Sequence, residues 1–392
     1  MKIIFVSILI FLAGILRLTA QNTENTETPG KPKKKDSTNQ SLFIDTLDHA
    51  FDVSSFLIRP EGFMPIPLII TEPAVGFGGG AALLFFQPND KFEHKTPPNI
   101  TGVAGLGTSN GTWGVGLFHM HIFKEDNIRL IGAAAKANVN IDYYGNQNDF
   151  LSQHPLALNM DAWILFVRPM FRVASSNFFL GAEYTFFTTY NSIDTLEGRP
   201  IINEIIGRLG GRSTLSMLSL KAYYDSRDNI FTPGRGIYTG VDYAVNATWL
   251  GADNNNEKLG TYFLGFLPVG KRVNAGLRYD GAFSFGDTPL YAFPFIVLRG
   301  VPAIKYMGNN TMLMETEWRG RVFRRYSLVA FTGAGKAFTD FSGFKEAKWI
   351  YNYGVGVRYL LARVFGLQAG FDVAWSNDDF AFYLTIGSAW MR

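Results

Sequence analysis

The sequence predicts an all-β fold, a transmembrane antiparallel β-barrel of sixteen strands preceded by a short N-terminal helix or linker. The first observation is alternation. Tyr351, Tyr353, Val355, Val357 and Tyr359 oppose Asn352, Gly354, Gly356 and Arg358, and Phe365, Leu367, Ala369, Phe371, Val373 and Trp375 oppose Gly366, Gln368, Gly370, Asp372 and Ser376. Side chains on a strand point to opposite faces with period two, so each segment carries one apolar and one polar face. The second is composition: 41 glycines, 35 phenylalanines, 17 tyrosines and 7 tryptophans against only 18% charged residues. That balance suits crowded strands with an aromatic surface facing lipid. The third is the spacing of connections, which is long and short by turns.

Taken in order, residues 1–20 read as a signal peptide. Lys2 supplies a basic start, Ile3 to Leu16 a mostly apolar run, and Thr19-Ala20 a cleavage site. No later stretch reaches 18 consecutive apolar residues, so a helical span is not expected. The absence of cysteine excludes disulfides, thiolate metal sites and a lipid-modified cysteine. A net charge of +3 is too small to imply nucleic acid.

Residues 21–41 lack apolar periodicity and carry the basic run Lys31 to Lys35, the signature of a solvated, disordered linker. Within 42–62, Leu42, Phe43, Leu47, Phe51 and Phe56 mix with Asp45, Asp48 and Asp52 in a weak helical pattern. A short helix at or inside the periplasmic mouth, a periplasmic or plug segment, is expected there.

The barrel is expected over 63–392, from a first segment at 63–71 to a sixteenth at 379–390. Joins after even-numbered segments are mostly tight, as at 124–126, 174–176, 270–271 and 322–324. Joins after odd-numbered ones are often long, as at 144–156, 191–212, 287–309 and 339–348. Short periplasmic turns and long external loops produce this asymmetry, with 88–98, 227–235 and the tight join at Ser109 and Asn110 as exceptions. Trp249, Trp318, Trp349, Trp375 and Trp390 fall near strand ends, where interfacial girdles sit.

Three stretches carry a resemblance. YYDSRDNIFTPGRGIYTGVDY (223–243) holds a Tyr-Asp-x-Arg-Asp segment followed by Pro-x-x-Gly; Leu298-Arg299-Gly300-Val301 precedes Asn309, Glu315, Glu317 and Arg319; and the chain ends in Gly354 to Trp390. Together they are similar to the BamA/TamA family of bacterial outer-membrane barrels, also called bacterial surface antigens, over about residues 63–390. The resemblance implies a bacterial outer-membrane protein involved in outer-membrane protein assembly or export, with an accessory subunit as one form of that role. Its implied partners are outer-membrane lipid and barrel-assembly machinery or nascent outer-membrane proteins. Residues 21–62 are too few for the family's periplasmic polypeptide-binding domains, so a barrel-only member is expected.

The resemblance also places Arg299 and Gly300 in a loop anchored inside the lumen. Glu315 and Glu317 share the face opposite Met314 and Trp318, so either can receive the guanidinium, which suits bidentate pairing with a carboxylate. The family's second acidic partner falls at Gly333, and Val301 stands where the family has phenylalanine. Glu317 is therefore the expected sole partner.

Asp225, Arg227 and Asp228 read as a periplasmic turn: aspartates cap backbone N–H groups, Pro233 fixes a bend, and Gly236 permits unusual dihedrals. Pro65 and Pro67 remove ladder donors from the first strand. They are expected to weaken a lateral seam against Phe380, Phe382 and Trp390 of the last.

No active site, metal or cofactor is expected. Gly107-Thr108-Ser109-Asn110-Gly111 matches a nucleophile-elbow pattern but lies in a hairpin. His119 and His121 are too few for a firm metal site, and Gly76, Gly78, Gly79 and Gly80 lack a following GK[ST]. Arg278, Asp280, Arg358 and Asp372 read as a structural lumen network. Two alternatives to assembly remain open: a passive pore or transporter for small solutes, and a barrel-embedded lipid hydrolase using Ser109.

Overall fold

In the computed structural model, residues 43–57, 62–87, 99–124, 126–144, 155–193, 211–229 and 231–390 are described. The expected signal peptide and linker lie outside them. After a single helical turn, α1 (Ser54–Leu57), come sixteen strands. They are β1 (Gly62–Ile70), β2 (Gly78–Gln87), β3 (Asn99–Thr108), β4 (Trp113–Phe123), β5 (Ile128–Tyr143), β6 (Leu156–Arg172), β7 (Phe178–Ile193) and β8 (Gly211–Asp225), then β9 (Gly236–Asn246), β10 (Asn256–Pro268), β11 (Val273–Gly286), β12 (Asn310–Phe323), β13 (Tyr326–Phe338), β14 (Ile350–Ala362), β15 (Leu367–Ser376) and β16 (Phe380–Ile386).

All sixteen form one sheet in sequence order, each antiparallel to the next, as the alternation requires. β1 and β16 come close, and no ladder joins them among the described residues. The result is a nearly closed antiparallel barrel. Closure of this kind leaves lipid no sheet edge except at that one seam.

The two faces separate cleanly. On β14 Tyr351, Tyr353, Val355 and Val357 are exposed while Asn352, Gly354, Gly356 and Arg358 are buried. In a soluble barrel this distribution would be reversed; with lipid as the outer solvent the apolar residues face outward and the charges inward. Trp249, Trp318, Trp349 and Trp375 are exposed, as an interfacial girdle needs.

Trp390 is a correction to both the girdle and the seam. The alternation from Phe380 predicts an outward tryptophan on a strand running to 390, yet β16 stops at Ile386. Gly387 adopts φ 79°, a left-handed conformation that favours glycine. Its N–H donates to Gln368 O at 2.6 Å, and the chain turns inward. Trp390, 5% exposed, packs on Phe266 of β10 with ring centroids 6.1 Å apart.

The N-terminal helix is a second correction. Residues 43–52 fold as a tight hairpin, with an Ile44–Phe51 bridge and helix confined to α1. The three aspartates explain it. Asp45, Asp48 and Asp52 accept from the N–H groups of Leu47, Ala50 and Ser54 at 2.9, 3.2 and 2.6 Å. Such local bonds compete with helical hydrogen bonding.

Two segments fill the interior. The β11–β12 connection (287–309) enters the lumen, where Tyr291, Phe295, Ala303, Ile304 and Met307 join inward residues of β5 and β6 in one apolar cluster. The described residues of the β8–β9 connection (226–229 and 231–235) lie at the opposite mouth. Phe231 packs on Ala362 and Leu367, Asn229 Nδ2 donates to Phe365 O at 2.7 Å, and Arg319 Nη2 donates to Pro233 O at 2.8 Å.

Candidate functional site

The lumen loop reaches its tip at Arg299 and Gly300. A Phe295–Met307 bridge closes its base, helped by Ile296 N donating to Tyr306 O at 2.9 Å. Gly300 sits at φ 88°. A Cβ there would lie 3.1 Å from the Trp375 carbonyl carbon and 3.2 Å from that of Ala374, so the loop backbone lies flat on β15. Tyr383 Oη accepts from Gly300 N at 2.9 Å, and Ser376 Oγ donates to Gly300 O at 2.9 Å.

Arg299 meets three carboxylates. Its Nε donates to Glu315 Oε1 at 3.1 Å and its Nη1 to Asp372 Oδ2 at 3.1 Å. Nη1 also lies 2.8 Å from Glu317 Oε2, but without hydrogen-bond alignment, so that contact is Coulombic. Cζ stands 3.4 Å from the centroid of the Phe331 ring, a cation–π stack. The expectation of Glu317 as sole partner is corrected here: Glu315 on β12 and Asp372 on β15 make the directed bonds.

Gly333 explains the rearrangement. A Cβ there would come within 2.7 Å of Met314 O, 2.9 Å of Asn352 Oδ1 and 3.0 Å of Glu315 Cβ. The room an acid would occupy is used by Asn352, whose Nδ2 donates to Arg299 O at 2.9 Å and Glu315 Oε1 at 3.2 Å. The second acid comes from β15 instead.

Around this centre the lumen network is continuous. Glu315 also accepts from Arg278 Nη1 at 3.2 Å and Trp390 Nε1 at 2.6 Å, and Arg278 pairs with Asp280 at 2.6 Å. Asp372 takes Arg358 at both oxygens, at 2.5 and 2.8 Å. Buried charges persist only when paired and hydrogen-bonded in this way.

Above the tip, the loop reaches both flanks of the seam. Ala303 N donates to Glu72 Oε1 in the β1–β2 connection at 3.2 Å, while Lys305 Nζ sits 2.7 Å from Asp379 in the β15–β16 turn. The seam itself is edged by Pro65 and Pro67. The Leu68 carbonyl faces Gly79 of β2 and Leu68 pairs with Gly80, so even-numbered residues of β1 spend their backbone groups on β2. Pro65 and Pro67 have the opposite parity and face the seam, where neither offers an N–H. Across it Phe380 and Phe382 are exposed on the outer face.

The turn residues gather at the mouth opposite the lumen loop's entry. Asp225 holds Arg227 through two 2.8 Å bonds, with the guanidinium 4.2 Å from the Tyr238 ring centroid. Asp228 accepts from Gly234 N and Arg235 N at 2.9 and 3.1 Å. Gly236, at φ 104°, has no space for a Cβ beside Ser226 O. Ser109 lies in the β3–β4 turn, its N–H donating to Phe77 O at 2.7 Å. His119 and His121 face outward with rings 5.8 Å apart, and among the described residues no group of three metal-binding side chains occurs. Sequence reasoning gave no role to Asn352, Phe331 and Tyr383 and misplaced Trp390; Asn352 and Asp372, both inward on alternating strands, carried a signal.

Residues 121–295 match the Omp85 superfamily domain. Over those residues the chain, an outer-membrane barrel, is similar to the Omp85 superfamily. No protein of curated function matches the sequence. Among solved structures, the barrel is similar to BamA from Haemophilus ducreyi lacking POTRA domains 1–3, at TM-score 0.58 and 12% identity over 96% of this chain and 77% of that one. It is also similar to CdiB from Escherichia coli (TM-score 0.58, 12% identity, 83% of this chain and 61% of that one). CdiB from Acinetobacter baumannii gives 0.54 and 8%, over 83% and 59%. The chain thus spans about three fifths of the CdiB structures it matches. At these identities the likeness is one of fold.

Proposed function

We propose that the barrel works in outer-membrane protein insertion or export, as a non-enzymatic accessory subunit whose β1/β16 seam pairs with a client strand. The observation that carries this reading is the unpaired seam with two prolines facing it. An exposed edge recruits an extended chain by backbone hydrogen bonding, and prolines keep β1 from closing on β16 instead. The inward turn at Gly387 shortens β16 and leaves more of β1 without a partner.

The loop fits a clamp on that seam. Its Ala303 and Lys305 hold the two flanks at the outer end, and Arg299 ties it to β12 and β15. A client strand entering between β1 and β16 has to work against these bonds.

Replacing Pro65→Thr and Pro67→Thr together restores two donors, each able to contribute about 0.5–1.5 kcal/mol in a new hydrogen bond. Amide exchange of β16 then slows and client crosslinking at β1 falls. Unchanged exchange and unchanged crosslinking would remove the seam from the mechanism.

The passive-pore reading has less support, because the loop and the β8–β9 connection occupy the lumen from both ends. Hydrolysis at Ser109 is disfavoured by its place in a hairpin turn, and an intact phenotype in Ser109→Ala would exclude it.

A further inference from the structure

We propose that residues 43–51 are a membrane-interface anchor, seated on the periplasmic leaflet beside β13 and β14 and latched there by two arginines. The hairpin is two-sided. Its polar side is consumed internally: Arg325, in the β12–β13 turn, donates to Asp45 at 2.5 Å, Asp48 at 2.6 and 2.7 Å and Asp52 at 2.6 Å. Arg363, in the β14–β15 turn, donates to Asp45 at 2.5 and 3.2 Å. Arg325, buried, and Arg363, at the exposed edge, hold three carboxylates against the rim.

Its other side is apolar and uncovered. Leu47 is 72% and Phe51 53% exposed, joined by Phe43 and Ile44, with Phe43 stacked on Phe51 at 6.2 Å. Nothing in the lumen wants this face, because the hairpin is bonded on the outer side. Phe51 O accepts from Tyr359 Oη at 2.7 Å, and Tyr359 pairs with Tyr326 on the lipid-facing surface. The end of β12 exposes Val322 and Phe323 and the β14–β15 turn exposes Val364, so the apolar face continues the barrel's own lipid contact.

That continuity selects lipid as the occupant. Tyrosines at the end of a lipid-facing strand place the ring in the acyl boundary and the hydroxyl on a polar partner, and here the partner is the hairpin backbone. A short amphipathic element at this depth buries its apolar face about 5–10 Å into the headgroup boundary. The anchor fixes residues 43–51 at the rim on the β12–β13 and β14–β15 turns.

The test uses the natural absence of cysteine. Leu47→Cys and, as a control in the β13–β14 loop, Glu346→Cys are labelled with an environment-sensitive fluorophore. The full-length protein is then placed in nanodiscs of phosphatidylethanolamine and phosphatidylglycerol. Folding of each variant is checked by heat-modifiable gel mobility. The expected result is several-fold stronger quenching at position 47 than at 346 by headgroup-proximal nitroxide lipid, with the order reversed for aqueous iodide. Iodide quenching at 47 as strong as at 346 would overturn the proposal. So would shielding of 47 only after soluble periplasmic protein is added, which would mark a protein-docking face.

Discussion

Asp372 of β15 holds two arginines at once, Arg358 of β14 through both carboxylate oxygens and Arg299 of the lumen loop at 3.1 Å. The strand next to β16 and the loop that reaches the seam therefore share one buried charge. Asp372→Asn keeps the shape and removes that charge. Loss of one partner from a buried pair costs about 3–5 kcal/mol, so the unfolding midpoint should drop sharply and the loop become protease-sensitive. Arg299→Ala combined with Asp372→Asn should cost less than the sum of the single changes. Simple additivity would place the two residues in separate networks.

Restoring an aspartate at position 333 should harm the protein. The backbone of Met314 and the side chain of Asn352 already fill the space, and overpacking of this kind costs about 1–3 kcal/mol. Gly333→Asp is expected to lower thermal stability and displace Asn352 from Arg299 O. A gain in stability would mean the site can readmit the acid.

Lys305→Met removes the loop's hold on Asp379 without touching β1 or β16 directly. The ion pair is partly exposed, so global stability should change by about 1 kcal/mol or less. The seam should respond more strongly. Amide exchange in β16 and crosslinking of a client strand to β1 are both expected to increase; equal values in wild type and variant would argue against a clamp.

The rim latch should depend on acid. Hydrogen bonding from Arg363 is the largest cause that holds the Asp45 carboxyl down at about 2, below its usual 3.8. A depressed carboxylate stabilises the native contact above its unfolded pKa and loses that contribution as pH falls through the folded value. Release of residues 43–51, read by labelling of Ala50→Cys, should stay low at neutral pH and rise between about pH 4 and pH 2. Arg325→Ala should release the segment at neutral pH as well.

The filled lumen predicts little ion flow. Trp390→Ala removes a ring that packs on Phe266 and donates to Glu315. Single-channel recordings are expected to show low conductance in wild type and a larger, noisier one in the variant. A large, steady wild-type conductance would favour the pore.

Much of the fold was legible in the chain because a membrane barrel repeats one rule at every strand. Tyr351, Tyr353 and Val355 must find lipid, Asn352, Gly354 and Arg358 must not, and period-two alternation records this locally. Where a local interaction competes with periodicity, the reading fails. Asp45, Asp48 and Asp52 imitate a helical pattern while capping their own backbone, and Gly387 ends β16 four residues after Tyr383 although the apolar alternation continues.

The sequence by itself determined the two-faced strands, their order and the prolines of β1, since each follows from neighbours in the chain; the inward arginine loop was legible only through the family resemblance. Only the tertiary structure decided which carboxylates receive Arg299, that Trp390 turns into the lumen, and that Arg325 gathers three aspartates more than 270 residues earlier. Those pairings join strands whose proximity exists only once the barrel has curved round, and no local pattern encodes the distance across it.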